Sequence, residues 1–92
     1  MNRTELVNAV AKQAELTNTQ AQAAVAAALE AITGAVAGGD KVVLPGFGTF
    51  EPRERSARTG RNPQTGAEIA IAASRAPAFK AGSAFKERVA KA

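Results

Sequence analysis

The sequence predicts an α+β fold: a helical body, a three-stranded antiparallel sheet and a long protruding β-ribbon arm. Three observations lead there. Helical periodicity with cap signatures occupies the first forty residues and stops at Gly38-Gly39. Extended, strand-like stretches flank Asn62-Pro63-Gln64-Thr65-Gly66, which is hairpin-loop chemistry because Asn before Pro favours extended geometry and Gly66 supplies a positive φ. Those flanks carry Arg53, Arg55, Arg58, Arg61 and Arg75 and little apolar matter, so the hairpin cannot fold onto a core and must reach outward. Arginine at this density points to a polyanion as what it reaches.

The chain has 92 residues and a formal net charge of +4, which fits one domain over 1–92. Residues 1–50 sum to −1, residues 51–76 to +2 and residues 77–92 to +3. The excess lies wholly in the second half and implies a basic face rather than a uniformly basic protein. Cysteine and histidine are absent, which excludes a disulfide framework, a Cys/His zinc site and the commonest general base. The carboxylates Glu5, Glu15, Glu30, Asp40, Glu51, Glu54, Glu68 and Glu87 are scattered without metal-ligand spacing, so neither an enzyme nor a cofactor is expected. No apolar run approaches the roughly 18 residues of a membrane span, and Met-Asn-Arg-Thr-Glu does not lead into a signal peptide. A cytoplasmic location without a membrane partner is the expectation. Without the hairpin about 65 residues remain, marginal for a domain folding alone. With mostly alanine as apolar matter and 4 Phe but no Trp or Tyr, the chain would gain by sharing its core with a second copy.

Asn2 with Glu5 forms a capping-box pattern, and Leu6, Val7, Val10 and Ala14 follow at helical spacing, predicting a first helix from about Arg3 to Ala14. Thr17 with Gln20 repeats the signature ahead of a second helix, Asn18 to Ala37. Its stripe of Val25, Leu29, Ile32 and Val36, widened by alanines, suits close helix–helix contact and carries no reactive group. Lys41 to Leu44 reads as a short strand and Pro45-Gly46 as a break. Gly46-Phe47-Gly48 lacks the remainder of a phosphate-loop fingerprint, so its glycines are assigned to a tight turn, with Phe47 and Phe50 entering the core. From Thr49 the chain is extended, Arg53 and Arg55 share a strand face, and Pro52 requires an edge or a bulge. Ile69 and Ile71 alternate with alanines in a return strand that Pro77 is expected to end, after which Phe79 rejoins the core. Ser83 is read as the cap of a last short helix carrying Phe85 and Val89 at i, i+4. Part of the charge of Lys86, Arg88 and Lys91 there answers the helix dipole.

In register, Gly46-Phe47-Gly48-Thr49-Phe50, Arg55-x-x-Arg58, Gly60-Arg61-Asn62-Pro63-Gln64-Thr65-Gly66, Ile69-x-Ile71-x-Ala73 and Pro77-x-Phe79 resemble the bacterial HU / integration host factor family of DNA-binding proteins over essentially the whole chain. The resemblance implies an intertwined dimer: a helical dimerisation part over 1–40, a β-saddle and arm over 41–79 with the arm at about 53–76, and a C-terminal helix within 83–91. The implied dimer core comprises Leu29, Ile32, Val36, Leu44, Phe47, Phe50 and Phe79. It further implies a nucleoid protein whose arms enter the minor groove of double-stranded DNA, Pro63 wedging between base pairs and bending the duplex. Arg55, Arg58 and Arg61 match arm positions that meet DNA, with Asn62 at the tip; Lys80 and Lys86 match the body region that grips flanking phosphates, and Arg3 is a further carry-over. Arg53 and Arg75 are DNA-contact candidates from the arginine row itself.

The physical reading is compatible. A ribbon with about ten residues per strand spans about 30 Å, close to one duplex turn of about 34 Å. Arginine suits a narrow minor groove, whose degenerate code predicts low sequence preference. Nicked, gapped or bent duplexes should be favoured because their stacking is already broken. The chain has Ala67, Ala70 and Ser83 where many relatives carry lysine, and Glu51, Glu54 and Glu68 dilute the arm. Each lost phosphate contact removes about 0.9 from the log–log salt slope, so weaker binding and a shallower slope than those of a lysine-rich relative are expected. An integration-host-factor-like subunit, with site preference and a different partner chain, is the alternative within the family. RNA or a membrane surface is the alternative outside it; missing stacking aromatics and a missing basic amphipathic helix argue against both.

Overall fold

The computed structural model describes every residue, Met1–Ala92. In chain order the elements are α1 (Arg3–Gln13), α2 (Asn18–Ala37), β1 (Val42–Leu44), β2 (Gly48–Arg55), β3 (Arg58–Arg61), β4 (Glu68–Ile71), β5 (Ser74–Ala81) and α3 (Ser83–Ala90). The α+β class is as expected. Two compact units are present, Met1–Gly34 and Ala35–Ala92.

In the N-terminal unit both helix starts are closed as their sequences dictate. Asn2 Oδ1 accepts the Glu5 amide at 2.9 Å. Thr17 and Gln20 cap reciprocally: the Gln20 amide donates to Thr17 Oγ1 at 3.1 Å, and the Thr17 amide to Gln20 Oε1 at 2.9 Å. The α1–α2 corner is pinned by Asn18 Nδ2 donating to Asn8 Oδ1 at 2.7 Å. Val7, Ala21 and Val25 form the buried core, with Val10, Ala11 and Leu16 packed against it.

The second unit begins with the end of α2. Gly39, at φ +93°, lets its own amide reach Val36 O at 3.0 Å and the Asp40 amide reach Ala35 O at 2.9 Å, the paired bonds of a glycine-terminated helix. Pro45 and Gly46 (φ 83°) then build a tight turn closed by Phe47 N–H to Leu44 O at 2.9 Å. The sheet order is β1-β2-β5, all antiparallel, and β3 pairs with β4 as a separate two-stranded ribbon. Gly48 is obligatory: a Cβ there would lie 2.6 Å from the Phe79 ring and 2.5 Å from Lys80 O. All four phenylalanines cluster beside it, with centroids 4.7 Å apart for Phe50–Phe79, 5.2 Å for Phe47–Phe85 and 5.4 Å for Phe47–Phe79.

Two expectations are corrected here. Pro77 does not end the return strand: β5 runs through it to Ala81, with Pro77 directly opposite Pro52. The register explains why. The Gly82 amide donates to Phe47 O at 2.8 Å, and bonded and non-bonded pairs alternate along an antiparallel ladder. The two prolines therefore occupy a non-bonded pair and forfeit no bond to each other. Ser83 is likewise not a cap but the first residue of α3; Gly82 holds the cap position without a side-chain bond. Its close approach to Phe47, whose backbone atoms would lie 3.3 Å from an added Cβ, favours glycine at that position.

Candidate nucleic-acid interface

Strand alternation sorts the charged residues. Thr49↔Lys80, Glu51↔Ala78, Arg53↔Ala76 and Arg55↔Ser74 lie on one face of the β2–β5 ladder. The opposite face carries Phe50↔Phe79, Pro52↔Pro77 and Glu54↔Arg75, with Val42 opposite Phe50 in β1. One face is therefore polar and basic, and the other holds the aromatic cluster.

On the polar face Glu51 sits between two ammonium groups, 3.2 Å from Lys80 Nζ and 3.6 Å from Lys41 Nζ, with only 14% of its side chain exposed. The Lys80 hydrogen bond, reinforced by the charges of Lys80 and Lys41, holds its carboxyl below the usual range against the opposing effect of burial. The other ion pair, Lys91–Glu87 at 2.9 Å, lies within α3. No arginine takes part in any ion pair. The guanidinium groups of Arg53, Arg55, Arg58 and Arg61 are thus exposed and unpaired by carboxylates.

Beyond Arg55↔Ser74 the ladder stops, and it resumes at Arg58↔Ile71. Ser56-Ala57 and Ala72-Ala73 make a matched interruption in the two strands. In the distal ribbon Arg58 and Gly60 share a face with Ile71 and Ile69, and Thr59 and Arg61 share the other with Ala70 and Glu68. The isoleucine face is open, with Ile69 48% and Ile71 39% exposed. Ile71 Cδ1 would lie 3.0 Å from a Cβ at Gly60, so the glycine lets the isoleucine lie flat across the ribbon.

At the tip the Asn62 amide donates to Ala67 O at 2.8 Å and the Gly66 amide to Asn62 O at 2.7 Å. Asn62 Oδ1 accepts the Gln64 amide at 2.9 Å, bridging over Pro63. Asn62 thus shapes the turn with its side chain, and Pro63 is left exposed at the end of the arm.

The remaining candidates are dispersed. Lys86 stands exposed on α3, and Arg3 is exposed in the first turn of α1 in the other unit. Arg75 lies on the aromatic side of the ladder, where its Nη2 donates to Ala37 O at 3.0 Å. Of the expected core set, Val36 is buried and Ile32 and Phe50 are half-buried. Leu29, Leu44, Phe47 and Phe79 are 37–45% exposed in the single chain. Reasoning from sequence missed the Glu51 tether and the Arg75 bond. Lys41 and Glu51 could have been paired once β1 and β2 were set antiparallel, but neither Lys80 nor Ala37 is near its partner in sequence.

The profile of the family described as "Bacterial DNA-binding protein" matches residues 1–90. DNA-binding protein HU of Staphylococcus aureus (strain COL) is 61% identical over 89 residues, covering 97% of this chain and 99% of that protein. DNA-binding protein HU of Pasteurella multocida (strain Pm70) is 60% identical with the same coverage. Among solved structures, a cocrystal of Anabaena HU with DNA superposes with a TM-score of 0.89 at 56% identity, covering 100% of both chains. HU from Thermotoga maritima superposes at 0.67 with 34% identity, covering 97% of this chain and 98% of that one.

Proposed function

Since the chain belongs to the bacterial DNA-binding protein family, among relatives that are HU proteins rather than enzymes, we propose that it binds and bends double-stranded DNA without sequence specificity, as a homodimer in the cytoplasmic nucleoid. The observation that carries this reading is the arm: a ribbon lined by Arg53, Arg55, Arg58 and Arg61, none in an ion pair, and tipped by an exposed Pro63. Arginines free of carboxylates can give their donors to phosphates or to the electronegative floor of a minor groove without first breaking a bridge. The isoleucine face beside Arg58 suits the sugar walls of that groove. Pro63 supplies a rigid apolar ring with no donor to satisfy, which is what a wedge between base pairs needs; for architectural proteins of this kind unstacking a step costs about a few kcal/mol, which arm contacts must offset. Lys80 and Lys86, with Arg3, take flanking phosphates. The half-open apolar residues Leu29, Leu44, Phe47 and Phe79 become core when a second copy covers them.

The test uses the purified chain alone, titrated by anisotropy and gel shift against a mixed-sequence duplex, the same duplex with a nick or gap, and a single strand, across a range of salt. Salt-sensitive binding with preference for the nicked or gapped duplex is expected. Binding that appears only with a second gene product would point to the integration-host-factor-like arrangement. Equal affinity for the single strand would overturn duplex recognition.

A further inference from the structure

We propose that Arg75 is a positioning residue: it anchors the base of the arm to the end of α2 and does not meet DNA. Parity separates it from its nearest basic neighbours first. Arg53, Arg55 and Lys80 lie on the polar face of the ladder, whereas Arg75, opposite Glu54, lies on the other. Its guanidinium is already engaged, with Nη2 donating to Ala37 O at 3.0 Å across 38 positions of sequence. The same group lies over Gly39, where an added Cβ would come within 3.4 Å of Nη1.

The receiving end is built to need it. The amides of Gly39 and Asp40 take the Val36 and Ala35 carbonyls, leaving the Ala37 carbonyl outside that pair of bonds. The last turn of α2 contains no basic residue. A cation is favourable at the negative end of a helix, and here it arrives from β5 instead of from the helix itself. Its place along the strand matters as much. Glu54↔Arg75 is the last ladder pair but one before pairing lapses at Ser56-Ala57 and Ala72-Ala73. The anchor therefore grips the ribbon just ahead of the interruption and fixes the direction in which the distal arm departs.

The functional half of this inference rests on the DNA-binding reading; the structural half does not, and the experiment separates them. In free protein, Arg75→Ala should speed amide exchange at Gly39 and Asp40 by about three- to tenfold, as expected for loss of one solvent-exposed hydrogen bond, and Arg75→Lys should restore most of the protection. On the mixed-sequence duplex, Arg75→Ala should bind a few-fold more weakly with the salt slope of the unaltered protein. A slope lower by about 0.9 for each arm would identify Arg75 as a phosphate ligand and overturn the proposal. Unchanged exchange at Gly39 and Asp40 would overturn it as well, even if the unaltered protein failed to bind DNA and the functional reading fell on its own.

Discussion

Glu51 shows how one side chain sets the strength of a basic surface. Read along the sequence it merely subtracts a charge from the arm, because Lys80 comes beside it only through the β2–β5 register. In the fold it sits between Lys80 and Lys41 and offsets part of the positive charge they present at that face. Glu51→Gln should raise duplex affinity by about two- to fivefold at low salt, with the gain fading as salt screens the charges; an anisotropy titration at two salt concentrations checks this. The same change alters acid stability. The folded carboxyl titrates below its ordinary value of 4.5, so the tether contributes fully above that pH and is lost as pH falls through the lowered value. Thermal melts over that window should decline more steeply for the unaltered protein than for the variant. Such couplings are invisible in sequence for a physical reason: they depend on which residues face each other across strands.

At the scale of elements, the helices were legible and the arm only in outline. Both N-terminal helices carry their capping residues within three positions of the bonds they make, and α2 has the bounds expected, Asn18–Ala37. The ribbon's interruption left no comparable signal, since Ser56-Ala57 and Ala72-Ala73 contain neither glycine nor proline. Pro77 and Ser83 were misread because local statistics ignore the register that gives each its position. The tip supports a sharper expectation. Every bond that closes it is donated by Asn62, Gln64, Gly66 or Ala67, and Pro63 donates none. Pro63→Ala should leave the melting temperature within about 2 °C, a change of under about 1 kcal/mol, yet reduce bending of an end-labelled duplex by energy transfer and shrink the preference for a nicked site. An unchanged bend would remove the wedge from the mechanism.

For the molecule as a whole, the buried hydrophobic core of one chain amounts to Val7, Ala21, Val25 and Val36, and no large side chain is fully buried. A fold so thinly supported should draw its stability from association, so its melting temperature should climb with concentration. Each tenfold increase adds about 1.4 kcal/mol, or about 3–5 °C for a dimer of this size; scanning calorimetry over two decades of concentration checks it, and a constant melting temperature would mean the chain is stable alone. The facing prolines bear on how such molecules behave when crowded. The ring nitrogens of Pro52 and Pro77 point to opposite outer margins of the ribbon, where β1 no longer covers β2 and nothing flanks β5. A strand from a neighbouring molecule laid along either margin would find no donor at that level. Molecules packed shoulder to shoulder would forgo a ladder bond at that level if they paired edge to edge, which disfavours a shared sheet.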